Sequence, residues 1–147
     1  MTIDEKDQKV LKALVENSKA RTSQLSKELK MPITTIHNRI KKLEKLGIIK
    51  NYTVVLDYKK LGKDILSYIL VTVMYTLPSG EKISQEQVAK KIKAIGAEEV
   101  SIVTGGTDII VKVRVKDVDE LNDFVIKKLR AIDGVDKTQT LIVLSSF

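Results

Sequence analysis

Apolar residues recur along this chain at two different spacings, and the change of spacing divides it. Val10, Leu11, Leu14 and Val15 repeat at helical intervals, with Glu5, Lys6, Lys9 and Lys12 on the other faces. That predicts an amphipathic helix capped by Asp4, with Ile3 placed as a staple. A second, short helix is predicted from Thr22, with Leu25 and Leu29 inward, stopping near Lys30. Met31-Pro32 interrupts, because proline disfavours helical geometry in the residue before it and suits a first helical turn. A third helix is predicted from Ile33 to Leu46, with Gly47 as its stop. Helix, helix, short turn, helix is the helix-turn-helix arrangement. The residues from Ile48 to Leu56 favour a strand, and Lys59-Lys60-Leu61-Gly62-Lys63 reads as a short basic hinge.

Beyond the hinge, strand and helix patterns alternate. Ile65 to Leu77 is β-branched and aromatic, and it ends at Pro78-Ser79-Gly80. Val88, Ala89, Ile92 and Ile95 mark a helix from Gln85 closed by Gly96. Strands from Val100 to Thr104 and from Asp108 to Val115 flank Gly105-Gly106-Thr107. Val118, Leu121, Phe124, Val125 and Leu129 mark another helix, and Val135 to Leu144 is the last strand. The order β-α-β-β-α-β is that of ferredoxin-like folds. The expected class is therefore α+β, with a helix-turn-helix domain and strand linker over residues 1–63 and a ferredoxin-like domain over 64–147. Such a fold hosts many functions and decides none by itself.

Charge changes this picture more than length does. The 147 residues carry a net charge of +7, and its distribution is uneven. Residues 1–63 hold 15 Lys and Arg against 7 Asp and Glu, whereas residues 64–147 hold 11 against 12. A basic module joined to a neutral one is the electrostatic footprint of a nucleic-acid binder. The chain has no Cys and one His, His37, which excludes disulfide frameworks, thiolate zinc sites and His-based metal or catalytic clusters. No apolar run approaches membrane-span length, and the charged opening from Met1 to Lys6 is unlike a signal peptide, so a cytoplasmic location is expected.

The third predicted helix carries the sharpest chemistry. With Ile36, Ile40 and Leu43 inward, Thr34, Asn38, Lys41 and Lys45 line the opposite face, with Thr35, His37 and Lys42 on its flanks. A helix entering the major groove needs short or forked hydrogen-bonding groups near its N-terminus and cations further along for phosphates. Arg21 and Thr22, opening the second helix, add a candidate phosphate clamp. Arg39 lies nearer the core edge and suits a structural ion pair as well as a DNA contact.

The series Ile36-x-x-Arg39-Ile40-x-x-Leu43-Glu44-x-x-Gly47-x-Ile49, then Tyr52-Thr53-Val54-Val55-Leu56-Asp57 and Leu61-Gly62, resembles the leucine-responsive and asparagine-operon regulators, the Lrp/AsnC or feast/famine family. Asp4-x-x-Asp7-x-x-Val10-Leu11-x-x-Leu14, Thr104-Gly105-x-x-Asp108 and Gly134-Val135-x-x-Thr138-x-Thr140 extend the likeness over essentially the whole chain. The resemblance implies a winged helix-turn-helix that binds double-stranded DNA, and a RAM-type regulatory domain that forms dimers and often octamers. It implies no cofactor, and a small effector, typically an amino acid, bound near the glycine-containing turn at an interface between dimers. Carried over, the effector residues are Thr104, Gly105, Gly106, Thr107, Asp108, Thr138 and Thr140. Backbone N–H groups of the turn would hold a carboxylate, and Asp108 would meet an amino group. A plain hairpin turn accounts for the glycines equally well. The chain departs from the family at Pro32, where many members have Ser, and at Gly106 and Thr107, where an acidic or large aromatic residue is common. Two other function classes remain open on the residues alone: an architectural DNA-coating protein, and a small metabolic enzyme, for which no nucleophile–base pair, phosphate loop or metal cluster is visible.

Overall fold

The computed structural model describes residues 3–146; Met1 and Thr2 of the opening segment, and Phe147, lie outside the described residues. Two compact units result, Met1–Leu56 and Asp57–Phe147. The break falls before the basic hinge instead of after it. The Arg114 guanidinium stacks over the Tyr58 ring at 4.0 Å, which ties the start of that segment to the second unit.

The first unit is three helices, α1 (Glu5–Glu16), α2 (Thr22–Leu29) and α3 (Ile33–Lys45). Asp4 starts α1 through a reciprocal cap: its carboxylate accepts from the Asp7 N–H at 2.8 Å, and Asp7 accepts from the Asp4 N–H at 3.0 Å. Helix α2 ends on Lys30 in the left-handed conformation, φ 50°, and the Met31 N–H returns to the Ser26 carbonyl at 3.1 Å. Pro32 opens α3 with no side-chain cap, so Thr34 does not replace the missing hydroxyl. Gly47, at φ 68°, closes it. Val10, Leu14, Leu25, Ile36 and Leu43 are buried between the three helices. Each such side chain contributes roughly 1.5–3 kcal/mol by leaving water.

The strand expected from Ile48 to Leu56 does not form. Strand-favouring residues stabilise a strand only by packing beside a partner, and among the described residues none pairs with this segment. Val54 and Val55 are left 66% and 100% exposed.

The second unit runs β1 (Ile65–Val73), α4 (Gln85–Ala94), β2 (Glu99–Ile102), β3 (Ile109–Val115), α5 (Val118–Asn122) and β4 (Val135–Ile142). Helix α5 continues as a wider π-helical stretch over Asp123–Leu129, visible in the Arg130 N–H reaching the Val125 carbonyl. The order β-α-β-β-α-β is as expected, with all four strands shorter than the runs that predict them. All pairings are antiparallel, in the order β2-β3-β1-β4. Register puts Ile69 opposite Val111 and Val71 opposite Ile109. These four, with Val88 and Ile92 of α4 and Leu121, Phe124 and Leu129 beyond β3, form the buried core. Tyr68 and Leu70 of β1, Ile110 of β3 and Leu141 of β4 share the opposite face, which no helix of the unit covers.

Candidate DNA-reading surface and effector cleft

Burial on α3 alternates as its apolar period requires: Ile36 and Leu43 are inside, while Thr34, His37, Asn38, Lys41 and Lys45 are exposed and Thr35 is half-buried. Arg21 is exposed at the N-terminus of α2, where its N–H donates to the Gln24 side chain at 2.8 Å, and Thr22 follows half-buried as the first helical residue. Two expected DNA contacts are engaged inside the unit instead. Arg39 Nη1 donates to Asp4 at 2.7 Å and to Asp7 at 2.6 Å, and Lys42 Nζ donates to Asp7 at 2.5 Å. Asp7 is fully buried, so its charge requires these partners. The Lys42 ammonium, aided by the Asp4 N–H and the Arg39 guanidinium, holds the Asp7 carboxyl down at about 2 against the pull of burial. The Asp4-x-x-Asp7 and Arg39-x-x-Lys42 spacings carry this cluster in the sequence. Each pair shares a helix edge, and α1 and α3 bring the two edges together.

In the second unit, the segment between β2 and β3 closes with the Val103 N–H on the Asp108 carbonyl at 2.9 Å, and Gly105 sits at φ 119°. The Thr107 hydroxyl and the Asp108 N–H both donate to the Val71 carbonyl, at 3.1 and 3.0 Å, which fixes the turn to the end of β1. The Asp108 carboxylate is held by three donors. Oδ2 accepts from the Val73 N–H at 2.8 Å, and Oδ1 accepts from the Tyr75 hydroxyl at 2.8 Å and the Gln85 amide at 2.7 Å. The Val73 N–H and then the Tyr75 hydroxyl hold its pKa below the usual carboxylate value, and Asp108 in turn pushes the Tyr75 hydroxyl up. Asp108 is thus a clasp joining β1, the turn and the start of α4.

Beside the turn lies a cleft of about 560 Å³, bordered by Leu70, Thr72, Gly106, Thr107, Lys137 and Gln139, with Thr138 completing its wall. Three expected effector residues, Gly106, Thr107 and Thr138, thus meet there. Gly105 shapes the turn, and exposed Thr104 is outside the lining. Thr140 is on the helix-covered side, in a shallow groove with Val118 and Ile126. The Thr138 hydroxyl accepts from Arg130 Nε at 3.0 Å. Lys137 and Gln139 were missed because the Thr138-x-Thr140 motif drew attention to one face of β4, while strand alternation puts its intervening residue on the other.

A basic helix-turn-helix followed by a ferredoxin-like unit with an uncovered sheet face and a cleft beside its glycine turn defines a DNA-binding regulator of two-part build. Residues 70–147 match the model of the Lrp/AsnC ligand binding domain, and residues 3–50 that of a winged helix-turn-helix DNA-binding domain. An uncharacterized HTH-type transcriptional regulator of Pyrococcus furiosus is 40% identical over 141 residues, covering 95% of this chain and 91% of that protein. The structure of E. coli AsnC superposes with a TM-score of 0.85 at 28% identity, covering 99% of this chain and 95% of that one. A transcriptional regulator of Neisseria meningitidis, solved as an L-Met complex, has the same fold: its TM-score is 0.85 at 23% identity, covering 98% and 91% of the two chains. The chain belongs to the Lrp/AsnC family of transcription regulators. Its function is DNA-binding transcription regulation, and it is not an enzyme.

Proposed function

We propose that this regulator acts in the cytoplasm as a homodimer or higher oligomer. In this reading it contacts operator DNA through the exposed face of α3 and answers to an amino acid or related small metabolite held beside the turn Gly105–Asp108. The observation that carries the sensing half is the cleft at that turn, in a unit that matches a ligand-binding domain. The Neisseria meningitidis protein, of the same fold, takes L-Met. Thr34, His37 and Asn38 are the readers of base edges, and Lys41 and Lys45 are the phosphate anchors. Arg21 and Thr22 clamp a further phosphate at the α2 N-terminus. Arg39 and Lys42 serve DNA binding indirectly, by fixing α3 to α1 through Asp7.

Selection of bound fragments from random duplex DNA, with and without each of the twenty amino acids, tests both halves. A discrete motif of paired half-sites whose recovery changes with one or a few amino acids is the expected result. Fragments without any shared motif would instead favour an architectural DNA-coating protein. A motif indifferent to every amino acid would remove amino-acid sensing.

A further inference from the structure

The tip of α3 is apolar where an exposed helix start favours an acid. Helices α1, α4 and α5 each carry acids in the first turn, and α2 and α3 carry none. Pro32, Ile33 and Thr34 are exposed in succession, and Ile33 leaves 52% of its surface in water. Packing does not account for that isoleucine. The staple positions at the start of α3 are Met31 and Ile36, both in the core cluster of the first unit, and Ile33 belongs to neither core. Helix propensity does not account for it either, because a β-branched residue is a poorer helix former than a straight-chain one.

Its surroundings point to a base instead of a phosphate. From Met31 to Asn38 no side chain carries a charge with His37 neutral, and the cations begin at Arg39. Phosphates call for the exposed Lys41 and Lys45 further along, whereas the first residues of a reading helix are those that reach base edges. In the major groove those edges carry one apolar group, the C5-methyl of thymine. Ile33 lies four residues before His37, so the two exposed side chains share one edge of the helix, beside Thr34.

Resting on the reading face proposed above for α3, we infer that Ile33 is a specificity-determining residue, whose side chain packs on the C5-methyl of one thymine in each operator half-site. Cytosine lacks that methyl. Uracil lacks it too, while offering the same hydrogen-bonding groups as thymine. The contact therefore adds a selection that the polar groups of Thr34, His37 and Asn38 do not supply.

The probe is a duplex recovered by the selection from random DNA, with each thymine replaced in turn by deoxyuridine, and gel retardation of the full chain reads its binding. One thymine in each half-site is expected whose loss of the methyl weakens the wild-type protein about fourfold. Ile33→Ala, confirmed as folded by its melting curve, should weaken the unmodified duplex by a comparable factor per half-site and lose most of its sensitivity to that methyl. Equal sensitivity of the wild type and Ile33→Ala would overturn the inference, by assigning the effect to the shape of the DNA. A wild-type protein indifferent to every methyl would overturn it as well. In either case a base preference relaxed by Asn38→Ala leaves the reading face standing. Recovery of no shared motif, or base preferences unmoved by Ile33→Ala and Asn38→Ala alike, removes the reading face and the inference with it.

Discussion

Asp7 shows how one buried charge can set the behaviour of a whole unit. Its carboxyl is held at about 2, from an ordinary value of 3.8, first by Lys42. A depressed folded-state pKa gives stability that is present above the unfolded value and lost as the pH falls through the folded one. The first unit should therefore melt at progressively lower temperature as the pH is taken from about 4 toward 2, and Asp7→Asn should flatten that slope; thermal scans across this range check it. Asp7→Ala leaves Lys42 without its buried partner and Arg39 with Asp4 alone, and should cost roughly 2–3 kcal/mol. That is below the usual range for breaking a buried pair, because Lys42 stays partly in water. On the exposed face of the same helix, Asn38→Ala should relax base preference at one operator position at a cost of about 1–3 kcal/mol. Lys45→Ala should instead weaken every sequence alike. Binding to a panel of operator variants separates the two, and identical profiles would misplace the reading face.

At the scale of elements, the helix-turn-helix carries one visible local misfit. Lys30 adopts φ 50° to end α2, a conformation that costs a residue with a Cβ and costs glycine little. Lys30→Gly should raise the stability of the first unit by about 0.5–1 kcal/mol in urea titrations. The three helices were legible in the sequence because cap, period and stop agree at each: Asp4 and Gly47 mark outer ends, and Met31-Pro32 the break. The order of the second unit was legible for the same reason. What stayed hidden was whatever depends on a neighbour brought from far along the chain. Strand propensity in Ile48–Leu56 was read correctly as propensity, yet a strand also needs a partner. The π-helical stretch at Asp123–Leu129 preserves the apolar period and so leaves no trace in it. Asp108 advertised its carboxylate but not the three donors that occupy it, and Lys137 was passed over because its motif was written on the opposite face of β4.

For the molecule as a whole, the uncovered sheet face has the most consequence. Tyr68 and Leu141, 36% and 43% exposed, stand on it with Leu70 and Ile110. Lys112 and Arg114, paired with Glu98 at 2.9 Å each, lie on the same strand faces. An apolar surface with charged groups already paired suits burial against a second copy. Residues 57–147 alone, having their own core, should fold and be at least dimeric by light scattering. Two DNA-reading units per dimer should then prefer half-sites separated by about one helical turn or multiples of it. A monomeric fragment would contradict both expectations.

The unpaired stretch around Val55 has a practical side. A protease needs several residues of extended, accessible backbone, and the chain offers Lys50, Lys59 and Lys60 on either side of such a stretch. Trypsin should sever a dilute solution there first, releasing two resistant halves. If association covers the stretch, the rate of that cut will fall as the protein is concentrated, and a gel of digestion products becomes a gauge of assembly needing no label and no DNA.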